Sequence, residues 1–118
     1  MKRLNFFLST PISRLEERLD FLKKNAFNAE IRMANVPYIM ELDLEVLSLI
    51  KKRIETEGLK VFTHGPFFGL DIASMDRNIY EYTEHSLLRG LEITHALGAN
   101  VMVIHSGFLP FFSRGGRR

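Results

Sequence analysis

Apolar residues along this chain switch repeatedly between short runs or alternations and a spacing of three to four. The first switch is early. Residues 3–8, Arg-Leu-Asn-Phe-Phe-Leu, form a short apolar run closed by Ser9, Thr10 and Pro11, which predicts a strand and then a loop. Ser13 and Glu16 stand at the spacing of a capping box, and Leu15, Leu19 and Leu22 follow at helical spacing. Lys23 and Lys24 suit the negative end of the helix dipole and Asn25 the stop, so a first helix is expected over about 14–24.

The alternation Ala-Glu-Ile-Arg-Met-Ala over 29–34 predicts a second strand, with 35–38 as loop. Asp43 caps a helix that carries Leu47, Ile50 and Ile54 on one face and ends at Gly58. Residues 60–63 read as a third strand stopped by Gly65 and Pro66. After a long connection over 65–77, a third helix is expected over about 78–97, with Leu87, Leu88, Leu91 and Ala96 on its apolar side. Residues 100–104, rich in β-branched side chains, predict a fourth strand, and 106–118 read as loop. The order βαβαβαβ implies right-handed crossovers and a parallel four-stranded sheet, an α/β class.

Composition narrows the choices. The 118 residues, 46% hydrophobic and 25% charged, are those of a globular domain or part of one. The absence of cysteine removes disulfides, thiolate metal sites and a cysteine nucleophile together. No apolar run approaches the roughly 20 residues that span a bilayer, and Phe6-Phe7-Leu8 is too short for a signal-peptide core. The reading is a cytoplasmic protein with no membrane partner. The formal charge is +2, and Arg114, Arg117 and Arg118 contribute three of the positive charges. Without them the body stands at −1, which argues against a nucleic-acid partner.

The candidate chemistry lies at strand ends. Val61-Phe62-Thr63-His64-Gly65 and Val103-Ile104-His105-Ser106-Gly107 are echoes of each other: an apolar strand, a histidine, then small residues. The carboxyl ends of parallel strands carry the chemistry of α/β folds. Neighbouring strands lie about 4.8 Å apart, so His64 and His105 could share one metal ion. The plain alternative is that each merely bonds a loop. His85 and His95 fall inside the third helix and read as structural.

Glu30, on the second strand, is a candidate to point into a barrel and touch substrate, and Arg32 shares its face as a weak ion-pair partner. Asp71 and Ser74 in the long loop, and Ser9 with Thr10 after the first strand, are further substrate-binding candidates whose plain reading is solvated turns. The pairs Phe67-Phe68 and Phe111-Phe112 could line a pocket or cover a core edge. Phosphate-loop, dinucleotide, nucleophile-elbow and zinc-protease motifs are absent.

Thr63-His64-Gly65-Pro66-Phe67, then Leu70-Asp71-Ile72-Ala73-Ser74, then Leu97-Gly98-Ala99-Asn100 running into Val103-Ile104-His105-Ser106-Gly107 together resemble the xylose-isomerase-like TIM-barrel superfamily. That group includes sugar-phosphate isomerases and epimerases and the endonuclease IV type of apurinic-site endonuclease. The resemblance covers essentially the whole chain and is strongest over 61–107. It implies that His64 and His105 match the metal-binding histidines of the endonuclease-like members, for a divalent ion such as zinc, manganese or magnesium; in isomerase-like members the equivalent positions contact metal or sugar.

It also implies incompleteness. Such barrels have eight strands and about 250 residues, and this chain predicts four. The expectation is an amino-terminal half of a barrel, residues 1–118, ending in a loop at about 106–118 and sound only with its missing half or as a homodimer. The implied function is a metal-dependent sugar or sugar-phosphate isomerase or epimerase, inactive as the half alone. Its rivals are an apurinic-site endonuclease and a non-catalytic half-barrel that works by association.

Overall fold

A computed structural model of the protein describes residues 5–107. The elements run β1 (Phe7–Pro11), a single 3-10 turn (Ile12–Arg14), α1 (Leu15–Lys24), β2 (Asn28–Arg32), α2 (Val36–Met40), α3 (Leu44–Thr56), β3 (Val61–His64), α4 (Arg77–Ala96) and β4 (Met102–Val103). The four strands are parallel and lie in the order β1-β2-β3-β4. No strand reverses the direction of winding, so right-handed crossovers bring the helices to one face, as in a barrel wall. The class expected from the sequence is the class observed.

The register sorts the strand residues into two faces. Thr10, Ile31 and Thr63 stand in one row, fully buried under the helices, with Met102 beside Thr63. Ser9, Glu30 and Phe62 form a row on the opposite face, and Pro11, Arg32, His64 and Val103 form the next. The core joins Leu15, Leu19 and Leu22 of α1, Leu47, Ile50 and Ile54 of α3, and Ile93 of α4 to Ala29 and Ile31 of the sheet. The opposite face carries no helix among the described residues. There Phe7 and Phe62 meet with ring centroids 5.1 Å apart, and Phe7 and Val103 stay about two-fifths exposed.

Several boundaries differ from the sequence expectation. The first strand occupies 7–11 rather than 3–8, so Ser9, Thr10 and Pro11 lie inside it. Residues 1–4 are outside the described chain. Among the described residues β1 lies at the edge of the sheet and Pro11 is its last residue, where one N–H can be spared. The Ser13 capping box does not form. Ser13 lies in the 3-10 turn, α1 begins at Leu15 with no side-chain cap, and only Glu16 and Glu17 favour its amino end. Residues 35–38, expected as loop, open the short helix α2: Asn35 Oδ1 accepts the Tyr38 N–H at 3.0 Å, and Pro37 suits the first turn.

The Asp43 cap on α3 forms as expected, its carboxylate accepting the Glu45 N–H at 2.8 Å. The cap of α4 is Asp76, which starts that helix at Arg77. β4 is shorter than 100–104.

The buried side of α4 is the largest departure. Leu88 and Leu91 are exposed, and the inward residues are Thr83, Ser86, Gly90, Ile93 and Thr94. The reason is close approach. A Cβ on Gly90 would stand 2.9 Å from Pro66 Cδ and 3.1 Å from Met102 Sδ. Small polar residues let the helix lie directly on the sheet, and each hydroxyl is satisfied there: Ser86 Oγ donates to the Tyr82 carbonyl at 2.7 Å, and Thr94 and Thr63 hydroxyls meet at 2.7 Å. Arg89 ties α4 to the end of α2 by donating to the Ile39 and Leu42 carbonyls at 3.0 and 2.5 Å.

Candidate functional site

The carboxyl ends of β3 and β4 are brought side by side by the parallel pairing Thr63↔Met102 and His64↔Val103. Gly65 continues the pairing, its N–H donating to the Val103 carbonyl at 2.8 Å. A side chain there would press within 3.2–3.3 Å of Met102 and Val103, so glycine keeps the two strand ends close. Thr63, turned inward to the helices and bonded to Thr94, fixes the opposite direction for its neighbour His64.

His64 and His105 meet at this point. Their Nε2 atoms are 2.9 Å apart, with the ring centroids 5.0 Å apart and the planes near edge-to-face. On the far side of His64, Glu30 Oε1 lies 3.4 Å from Nδ1. A carboxylate at Nδ1 favours the tautomer with its proton there, which leaves the His64 Nε2 lone pair facing His105. Phe67 stacks on the His105 ring at 4.8 Å with an interplanar angle of 16° and touches His64 at 5.1 Å. It walls the pair on one side, while Phe68 stays exposed.

Two imidazole nitrogens on one tetrahedral zinc, each about 2.0–2.1 Å from the ion, stand about 3.3 Å apart. The observed pair needs only a small opening to reach that spacing, and neutral imidazole is a suitable donor for zinc. The two histidines therefore fit part of a divalent-metal site. Among the described residues no group of three or more histidines and carboxylates gathers tightly enough to hold an ion. A catalytic zinc uses three protein ligands, so the described residues offer two.

The other sequence candidates divide. Glu30 is brought to the pair, against His64, and Arg32 does not bond it. Ser9 lies exposed on the same open face, one row before His64 and beside Glu30. Thr10 is turned away: it is fully buried and donates to the Leu8 carbonyl at 3.1 Å. Asp71 reaches the His105 side, where Leu70, Asp71, His105, Ser106 and Gly107 line an open hollow of about 470 Å³. Its Oδ1 accepts the Ala73 N–H at 3.0 Å.

A Cβ on Gly107 would meet that same oxygen at 2.6 Å, so the segment after β4 lies tight on the 70–74 loop. Ser74 is not gathered in: its Oγ accepts the Asp76 N–H at 3.1 Å and builds the approach to α4. His85 and His95 are exposed on α4. Phe111 and Phe112 lie outside the described residues.

Sequence reasoning weighed one residue only as a weak ion-pair partner of Glu30. Arg32 stands in register with His64, its Nε is shielded from solvent, and no hydrogen-bond or ion-pair partner reaches it among the described residues. The available signal was its parity, since Glu30, Arg32 and His64 share one face.

Known proteins carry the same architecture. A structure of the TTHB071 protein from Thermus thermophilus, from a crystal soaked with zinc chloride, superposes with a TM-score of 0.76 at 32% identity. The match covers 90% of this chain and 41% of that one. The uncharacterized protein MJ1311 of Methanocaldococcus jannaschii is 26% identical over 97 residues, 81% of this chain and 32% of its own length. The chain thus spans about a third to two-fifths of the length of these relatives. Among the described residues no helix is long and apolar enough to cross a membrane. The family model for the xylose isomerase-like TIM barrel matches residues 19–117, and the chain belongs to that family.

Proposed function

We propose that this chain contributes the first part of a divalent-metal site in a barrel enzyme acting on sugars or sugar phosphates, as an isomerase or epimerase. The observation that carries the reading is the meeting of His64 and His105 Nε2 at 2.9 Å, at the mouth of adjacent parallel strands. The zinc soak of TTHB071 supports zinc as the ion to try first. His64 and His105 would hold the ion, and Glu30 would keep the His64 ring in its ligating tautomer. When bound there, a divalent ion supplies Lewis acidity toward the hydroxyl and carbonyl oxygens of a sugar.

The chain's other residues bind and orient. Phe67 covers one face of the His105 ring and touches His64. Ser9 presents a hydroxyl from the open face, and Asp71 presents the edge of the hollow beside His105. The remaining metal ligand and the proton-moving carboxylate would come from strands that complete the barrel. Those strands, or a second copy of this chain, would join at the free edges along β1 and β4 and enclose the face that carries Phe7, Phe62 and Val103. On this reading the half-barrel alone is inactive.

The test is a panel of aldose and ketose phosphates and an apurinic-site oligonucleotide, given to the assembled protein with zinc. Sugar conversion followed by NMR, lost in both His64→Ala and His105→Ala, is the expected result. Strand cleavage without sugar conversion, with a steep salt dependence, would assign the site to endonuclease chemistry instead.

A further inference from the structure

Arg32 is the one described cation whose solvent-shielded nitrogen has nothing to bond. Such an orphan is costly, because a guanidinium N–H taken from water without a partner loses its hydration and gains nothing. The nearest acid on its strand, Glu30, is turned to His64. Arg32 instead lines a notch of about 180 Å³ between the ends of β1 and β2, with Pro11, Ile12, Ser13, Ala34, Asn35 and Tyr38. That volume is below the ~300–1,000 Å³ of a pocket for a whole ligand, so it suits one group of a larger molecule. Arg32 brings a planar cationic fork to the notch, which Ser13 and Asn35 also line. A fork of this kind matches the paired oxygens of a phosphate or carboxylate.

We propose that Arg32 anchors the oxyanion end of the substrate, a phosphate ester or a carboxylate. The row Pro11, Arg32, His64, Val103 sets Arg32 on the strand next to His64, on the same face of a sheet whose neighbouring strands lie about 4.8 Å apart. The same molecule would then reach the pair with its oxygens. Only this last link rests on the proposed metal site; anion capture stands on Arg32 itself.

The experiment uses the assembled protein, with inorganic phosphate and acetate as probes against chloride at matched ionic strength. Thermal shift gives apparent affinity for the wild type, Arg32→Gln, Arg32→Lys and His64→Ala. The expected result is stabilisation by an oxyanion beyond chloride, weakened at least tenfold in both Arg32 variants and kept in His64→Ala. Phosphate acting alone assigns a phosphate ester; acetate acting as well assigns a carboxylate. No response beyond chloride in the wild type overturns the proposal, and so does an undiminished response in Arg32→Gln. Arg32 makes no side-chain bond that its replacement would break, and circular dichroism checks the fold. Should Arg32→Gln not fold, Arg32→Lys keeps the charge, loses the fork and decides the question by the same criterion. Zinc binding measured in parallel separates the two readings: its absence refutes the metal site and leaves the anion site standing.

Discussion

The two faces of the sheet are built from alternate residues of the same strands and follow opposite rules. Under the helices, Thr10, Ala29, Ile31 and Thr63 are small or apolar, closely packed and satisfied in their hydrogen bonds. On the open face, Ser9, Glu30, Arg32 and His64 are polar, partly exposed and incompletely paired. The first face holds the fold together, while the second holds groups whose partners are one another or something yet to bind. A single residue step along β2 crosses from one regime to the other.

The sharpest way to break this comparison is to substitute adjacent residues. Ile31→Ala removes a fully buried side chain at the centre of the core. It should cost about 2–5 kcal/mol in urea unfolding, enough to unfold a marginal domain. Glu30→Ala, one position away on the open face, should cost about 0.5 kcal/mol or less. Equal losses would mean that the open face also carries the fold. Gly90→Val tests the covered face from the helix side. Its side chain would drive into Pro66 and Met102, and the expected loss is about 1–3 kcal/mol by the same measurement. A neutral Gly90→Val would mean that α4 is free to lift from the sheet.

The two faces also differed in how far they could be read from sequence. The β2 alternation was plain, because Ala29 and Ile31 face a core while Glu30 and Arg32 do not. The histidine pair was legible too, since each histidine closes an apolar strand and parallel pairing sets strand ends together. β1 was misread because Phe6-Phe7-Leu8 has the composition of a strand and Ser9-Thr10-Pro11 that of a loop. At the edge of the described sheet the strand can accept a proline as its last residue, and its threonine is drawn inward.

The inner side of α4 was hidden for a different reason. Hydropathy points to Leu88 and Leu91, but the sheet lies close enough to demand Gly90, Ser86 and Thr94. Closeness of approach is a property of two elements and leaves no periodic trace in one. The parity of Arg32 with Glu30 was legible, but the isolation of its Nε was not, because that depends on what the folded chain fails to bring near it.

Glu30→Gln sharpens the comparison on the open face. The amide keeps the size and an acceptor oxygen beside His64 Nδ1 but removes the charge that favours the proton there. Zinc affinity, read by competition with a chromophoric chelator, should fall by about tenfold, the low end for a group that orients a ligating histidine. Stability without metal should stay within about 0.5 kcal/mol of the wild type. If zinc affinity is unchanged and stability drops, the carboxylate belongs to the fold and not to the site.

The smallest effect lies beneath the covered face, where three helices hand over to strands in the same way. After α1, α3 and α4 the chain turns through Ala26, Gly58 and Gly98, all at positive φ (57°, 68° and 75°). In each case the next residue's N–H returns to a carbonyl five residues back: Phe27 to Leu22 at 3.0 Å, Leu59 to Ile54 at 3.1 Å and Ala99 to Thr94 at 3.1 Å. This is the helix-ending turn that favours glycine. Only the first of the three uses a residue with a Cβ, which disfavours the left-handed conformation by about 1–2 kcal/mol. Ala26→Gly should therefore raise stability, by about 0.5–1 kcal/mol once the greater freedom of glycine in the unfolded chain is subtracted. Gly58→Ala, with open space around its Cβ, should lower it by a similar amount. Opposite shifts in melting temperature for these two variants would show that the strain of the turn alone is being measured. A loss in both would show that Ala26 packs in a way the turn geometry does not explain.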